Sequence, residues 1–408
     1  MKIILNDNKI ISYLFAAFLV TSINVDYGMS VAAVLMLLVS LMGLFVTKDS
    51  VQESSQLWEK VWLASISLFF GIACLNIAIF GDSFSAIDQY SRILLAIPVY
   101  LYTRRVGINW QIVLIGAAIG AILSAYLAWQ DVDILSKPRV NGFTNAVYYG
   151  GIATLLWLFC LYGLFVTKGF LLRSFFAISF FAASYTVIAS GTRGAWIALP
   201  LLLLLFLYFK TRDISLFKRL IGATAVLAVS ILVYQFVLTD MHSRLNTAMD
   251  DVSGYYQQHN SKTSVGARLE MWRGSWLIAQ DNYFIGQGAS AYEQGVKNLV
   301  MQNEIDPYIS RFFGPHSEYF RTLIEQGLLG FIALLGMFIT PLYWLINKIS
   351  IPDQSTPLAF FAGGIIVGFM VFMISVSALH IQIMSLFFSF SLSAIIGSIR
   401  KDTHFRNK

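Results

Sequence analysis

The sequence predicts an all-α polytopic membrane protein, with about 12 transmembrane helices and one large helical loop before the tenth span. Three observations carry this expectation. The 408-residue chain is 57% hydrophobic and only 12% charged, with a mean hydropathy of +0.69, which a soluble globule of this size does not reach. Apolar runs long enough to cross a hydrocarbon core recur along it. One long polar-containing interruption, from Thr239 to Arg321, breaks the series.

Taken in order, spans are expected at about 10–25, 30–46, 61–80, 88–103, 110–129, 146–167, 170–190, 194–210, 217–238, 322–347, 358–378 and 381–399. Lys2 and Lys9 precede the first apolar stretch, and no small-x-small cleavage site follows it, so the first span is read as uncleaved. Residues 1–238 then hold nine helices, 239–321 form a loop domain, and 322–408 hold three helices and a tail. Twelve spans put both termini on one side. The short loops of that side carry seventeen Lys and Arg, among them Lys48, Arg104, Arg105, Lys168, Arg173 and Arg400. The opposite short loops carry four: Arg92, Lys137, Arg139 and Arg193. This bias orients the termini to the cytoplasm and the large loop outside.

The net charge of +6 and the pI near 9.1 follow from that loop bias, not from a nucleic-acid-binding surface. Cys74 and Cys160 both fall in apolar spans, where a thiol acts as a small hydrophobe; neither a disulfide framework nor a metal site is implied. No internal or inverted repeat of the kind that marks many transporters stands out. Within the large loop, GARLEMWRGSWLIAQ (266–280) reads as a helix with Leu269, Trp272, Trp276 and Ile278 toward one side. Such a helix can lie in the headgroup plane, ended by Asp281-Asn282 and Gly286-Gln287-Gly288.

Four residues on the outer side could carry chemistry. Arg193, in the turn Ser190-Gly191-Thr192-Arg193-Gly194-Ala195-Trp196, sits between two glycines at the start of a helix. There the backbone can approach a ligand, the helix dipole favours an anion, and a guanidinium can grip phosphate oxygens bidentately. The plain alternative is an arginine reaching from a helix end to lipid headgroups. Arg268, in Val265-Gly266-Ala267-Arg268-Leu269, and Arg139, in Pro138-Arg139-Val140-Asn141-Gly142-Phe143, carry the same two readings. His316, in Gly314-Pro315-His316-Ser317-Glu318, is placed by the proline in the first turn of the helix that becomes the tenth span. The dipole there would keep the imidazole neutral, as a general base requires, while Glu318 would pull the other way; a cap or a surface residue is the plain alternative.

Other signals are discounted. Asp131-Val132-Asp133 spells a D-x-D but is read as a solvated turn, and Asp250-Asp251 as a helix-terminal pair. His380 is assigned to a tight outer turn, and His242 and His259 to loop sequence. With no HExxH, Walker sequence or cysteine cluster, the chain implies neither a metal nor a nucleotide cofactor.

GTRGAW (191–196), SVGARLEMW (264–272) and PHSEYFRTLIEQGLLGFIALLG (315–336) resemble the O-antigen ligase and polymerase superfamily. RLNTAMDDVSGYYQQHNSKTSVGARLEMW (244–272) is similar to enterobacterial-type O-antigen ligases, as are the chain length and the large loop before the tenth span. The resemblance implies a metal-independent, inverting glycosyltransferase of the bacterial inner membrane, acting on the periplasmic face. It would move a polysaccharide from undecaprenyl pyrophosphate to a sugar hydroxyl of lipid A–core. By the same resemblance His316 matches the catalytic histidine, and Arg193 and Arg268 match arginines that hold the donor pyrophosphate. Arg139 matches a further basic residue within a pattern kept here as Arg139, Gly142 and Asn145, although Thr144 stands where proline is frequent. The expected partners are therefore the lipid-linked donor, lipid A–core and membrane lipids. The alternatives are an O-antigen polymerase or a protein-glycosylating relative, which share the donor, and a lipid-linked sugar flippase or exporter. A flippase should place charges within its spans, where this sequence has almost none away from the ends.

Overall fold

The computed structural model describes residues 8–46, 56–211, 215, 220–221, 224, 239–349 and 356–404. Every regular element among them is a helix. The first set is α1 (Lys9–Thr21), α2 (Gly28–Val46), α3 (Leu57–Phe80), α4 (Ile87–Leu94), α5 (Ile97–Val106), α6 (Trp110–Trp129), α7 (Ala146–Val166), α8 (Phe170–Ser190) and α9 (Arg193–Thr211). Then follow α10 (Thr239–Gln258), α11 (Ser264–Gln280), α12 (Ala291–Met301), α13 (Glu318–Ile349), α14 (Thr356–Ser375) and α15 (Gln382–His404). Among the described residues eight helices are long and apolar enough to cross a membrane, and α1 and α9 are shorter apolar helices. The protein is a multi-pass membrane protein. The span expected at 217–238 lies outside the described residues.

Two expected spans are broken, each for a local reason. The span at 88–103 is two short helices, α4 and α5, parted at Leu95-Ala96. Pro98 lacks an N–H, and its ring would strike the carbonyl four residues back, on Leu94, the last residue of α4. The span at 322–347 begins earlier, at Glu318, and is interrupted at Gly327, whose φ of 63° and ψ of −161° are not helical. A backbone crossing makes that break necessary. Gln287 N–H donates to the Ile324 carbonyl (2.9 Å), and Leu328 N–H donates to the Tyr283 carbonyl (2.8 Å). A Cβ at Gly327 would lie 2.5 Å from Gly286 N, so only glycine admits the strap 283–288 this close. Asn76 on α3 seals the crossing, its amide donating to the carbonyls of Ile285 (2.6 Å) and Glu325 (2.7 Å).

The membrane core is packed around α7, α14 and α15, which are buried on nearly all sides, and therefore read as apolar around the whole helix. The segment 239–316 has a second, smaller core. Ala267, Met271, Gly274 and Ile278 form one face of α11, which meets α12, α13 and the 3₁₀ turn Pro307–Arg311. This corrects the expected apolar side of that helix. Ile278 is inside, Trp272 is half-buried and Trp276 is 51% exposed, because the small residues Ala267, Gly274, Ser275 and Ala279 on the inner face allow closer packing than the indoles would. His242 lies within α10, and Asp250 and Asp251 lie in the same helix, not at its end.

Candidate functional site

Arg193 is the first residue of α9, and the turn before it is held from several directions. α8 ends at Gly191, which is left-handed at φ 57°. Arg139 Nε donates to the Ser190 carbonyl (2.6 Å), and its NH2 donates to Thr192 Oγ1 (3.1 Å). Thr192 Oγ1 in turn donates to the Ala146 carbonyl (2.8 Å). Arg139 thus shapes the turn that presents Arg193.

The loop bearing Arg139 is itself fixed by the D-x-D that sequence reasoning discounted. Asp131 is buried, not solvated: its Oδ2 accepts from Asn141 N–H (3.1 Å) and Gly142 N–H (2.9 Å), while Oδ1 meets Lys137 Nζ at 2.6 Å. Asp133 accepts from the Tyr185 hydroxyl. Asn145 then caps α7 through Val147 N–H (2.8 Å). Arg139, Gly142 and Asn145 are therefore parts of one bracket between α6, α7 and the Arg193 turn.

Arg268 projects from the second turn of α11, whose start is capped by Thr263 accepting from Gly266 N–H at 3.0 Å. It is half-buried, and its pKa is lowered by that burial and then by the charge of Arg193. Two guanidiniums are thus near enough to repel, and among the described residues neither has a carboxylate partner. Two guanidiniums held together in this way can share an anion between them.

His316 lies beside them, but not in the helix. α13 begins at Glu318, and the Ser317 carbonyl accepts the first helical bond from Arg321 N–H (3.0 Å), so Ser317 is the N-cap and Pro315 lies outside. His316 is left-handed, at φ 49°, in a strap that leads into the helix. The ring is exposed and stands edge-on to Phe312, with centroids 5.7 Å apart. Trp272 of α11 ties the strap down: its Nε1 donates to the Pro315 carbonyl (3.1 Å), and its indole stacks on Phe320. The pKa of His316 is lowered by desolvation against this wall, and then by the charges of Arg268 and Arg321. Glu318 does not oppose them as expected, because its carboxylate turns into the protein to accept from Leu379 N–H (2.8 Å).

Sequence reasoning missed two residues below the strap. Arg321 is only 9% exposed; it donates to Glu325 (2.8 Å) and to the Phe313 carbonyl (3.3 Å), and meets His380 Nδ1 at 3.2 Å. A guanidinium only donates, so His380 Nδ1 is unprotonated. Burial, then Arg321 and Arg92, push the His380 pKa down to about 3, so it stays neutral. The signal for Arg321 was its place one turn before Glu325 on a helix, an ordinary ion-pair spacing. Nothing local to either residue points to His380, which lies 59 residues from Arg321.

Across residues 178–335 the chain matches the O-antigen ligase family, a stretch that takes in Arg193, Arg268, His316 and Arg321 but not Arg139. An uncharacterized protein of Haemophilus influenzae is 26% identical over 352 residues, covering 85% of this chain and 87% of that one. Together with an all-helical membrane fold around a cationic, histidine-bearing cluster, the family match supports membership of the O-antigen ligase/polymerase superfamily.

Proposed function

We propose that the protein is an O-antigen ligase of the inner membrane, working on its periplasmic face. It transfers O-antigen polysaccharide from undecaprenyl pyrophosphate to a sugar hydroxyl of lipid A–core. The observation that carries this reading is that Arg268 lies close enough to both Arg193 and His316 for their charges to act on one another, the three coming from separate elements and both arginines being free of carboxylates among the described residues. Family members are glycosyltransferase-like enzymes of glycan assembly, which supports the reaction class. The charge bias of the short loops supports the orientation.

In this mechanism neutral His316 takes the proton of the acceptor hydroxyl as its oxygen attacks the anomeric carbon of the donor's first sugar. The bond from that carbon to pyrophosphate oxygen breaks on the opposite face, so the configuration inverts, and undecaprenyl pyrophosphate leaves. Its charge is already delocalised, and two guanidiniums aimed at it stabilise what develops further. The leaving group then needs no protonated acid, and the arginines supply the counter-charge that a metal supplies elsewhere. Arg139 contributes by holding the Ser190–Thr192 turn, and so the direction of Arg193.

The test is transfer by the purified protein, using lipid-linked donor and lipid A–core acceptor, with and without a chelator. Transfer that survives chelation is expected; loss on chelation would overturn the metal-free mechanism. Lipopolysaccharide banding of a deletion strain separates the acceptor classes. Loss of all long bands with accumulation of lipid-linked polymer supports the ligase, whereas core capped by a single repeat identifies a polymerase instead.

A further inference from the structure

We infer that Arg321 is the positioning residue for His316: from beneath the strap its guanidinium fixes the height of Phe313–His316 and gives the imidazole a cationic neighbour. The inference rests on His316 as the working base of the proposed reaction.

The geometry has two halves. One face of the guanidinium belongs to the helix, where NH1 donates to Glu325 Oε1 at 2.8 Å, four residues on, and faces His380 Nδ1 at 3.2 Å. Glu325 is held in turn by the Tyr90 hydroxyl. The other face belongs to the strap, where NH2 donates to the Phe313 carbonyl at 3.3 Å. Gly314 leaves room for it, since a Cβ there would lie 2.1 Å from Arg321 NH2. The ion pair is therefore oriented, with the carboxylate on the helix side and the guanidinium toward the strap that carries His316. A left-handed histidine has no helix of its own to hold it, so its place depends on the ties at Phe313 and Pro315.

The charged and titratable groups around His316 come from several elements. The charge of Arg268 on α11 acts on it, and that of Arg193 on α9 acts on Arg268. α13 supplies Arg321, Glu325 and the inward-turned Glu318. The turn before α15 supplies neutral His380, whose carbonyl accepts from Arg92, itself paired with Asp88. Arg311 is drawn off over the Tyr308 ring, 4.5 Å from its centroid. Arginine charges thus dominate, and Arg321 is the one that is also bonded to the strap.

The test reads His316 directly, in the full-length protein without substrate. Diethyl pyrocarbonate acylates neutral imidazole, so the pH midpoint of its reaction at His316, followed by mass spectrometry, reports that ring's protonation. Arg321→Gln removes the cation and should raise the midpoint by about half a unit or more, whereas Arg321→Lys keeps it and should leave the midpoint near the wild-type value. Gly314→Ala displaces the guanidinium without deleting it, and should raise the midpoint part of the way; it decides the question if Arg321→Gln does not fold. In transfer assays above pH 8, where every variant has a neutral ring, Arg321→Lys should lower kcat about ten- to a hundredfold with donor KM unchanged, because the strap loses its tie. Unmoved midpoints in both Arg321→Gln and Gly314→Ala, or full kcat in Arg321→Lys, would overturn the inference. The readouts separate it from the functional reading. Active His316→Ala with the expected midpoint shifts rejects the base and keeps the Arg321–His316 coupling; inactive His316→Ala with unmoved midpoints does the reverse.

Discussion

Two clusters of arginine lie at opposite ends of the helix bundle, and they are built differently. α3 links them: Glu59 is near its start and Asn76, beside the Gly327 crossing, is seventeen residues on (76 − 59), roughly 25 Å along a helix. At the Glu59 end the carboxylate is fully buried and paired with two arginines. Tyr100 and Arg104 both donate to Oε1, and Arg400 NH2 lies 3.3 Å from Oε2. That arrangement joins α3, α5 and α15 through one shared carboxylate. At the Arg193 end, Arg193 and Arg268 are close enough to repel and neither has a carboxylate partner among the described residues, whereas Arg321, one layer down, is matched by Glu325. Cations paired inside the protein hold helices together; cations left unpaired at its rim are available to a substrate. The difference separates residues whose loss should unfold the protein from those whose loss should silence it.

The largest expected effect is at the rim. His316→Ala should slow transfer a hundred- to ten-thousandfold, about 3–5 kcal/mol of barrier, at normal protein level, since the exposed ring contributes little packing. Wild-type-like turnover would remove the base from the mechanism. Glu59→Ala should do the opposite, removing from the bundle the buried carboxylate that Arg104 and Arg400 share. Its cost of about 3–5 kcal/mol should appear as lost folded protein in a denaturation series, with near-normal turnover per folded molecule. If Glu59→Ala is as stable as wild type, the contrast between the two ends fails. Arg193→Lys and Arg268→Lys come next. Each keeps the charge but loses the planar fork, so transfer should fall by roughly tenfold or more with stability intact. Full activity in both would make these side chains membrane anchors.

The pH dependence sharpens the same comparison. Desolvation, Arg268 and Arg321 lower the His316 pKa, so the active neutral form is present above that lowered value and is lost as pH falls through it. The midpoint of kcat/KM, which reports the free enzyme, should therefore lie below the ordinary value of about 6.5. The proposed donor pyrophosphate would bring negative charge, so the midpoint of kcat should sit higher. A kcat/KM midpoint above 6.5 would mean that the arginine field does not govern the ring. The smallest effect expected is from Trp272→Phe, which keeps the stack on Phe320 but loses the hydrogen bond to the Pro315 carbonyl. A loss of about 0.5–1.5 kcal/mol in strap stability should show as faster amide exchange around Pro315 and His316.

The sequence by itself determined the helical membrane architecture, because apolar runs of this length have few other uses and their ends are marked by local chemistry. α2, α6, α7 and α8 begin and end within a residue or two of where the apolar pattern places them. It also singled out Arg193, Arg268, Arg139 and His316, since their glycine and proline neighbours are part of the local signal. Tertiary structure decided what those residues touch. Whether Asp131 is solvated or braces the Arg139 loop depends on Asn141 and Gly142 folding back onto it. Whether α13 runs unbroken depends on a strap some forty residues earlier crossing at Gly327, and whether His316 is helical depends on where that helix can start. Arg321 and His380, 59 residues apart, became neighbours only when the turn before α15 closed over α13. Hydrophobic length and capping are read within a few residues of chain, while charge pairing and burial are set by distances between elements, and those exist only in the folded protein.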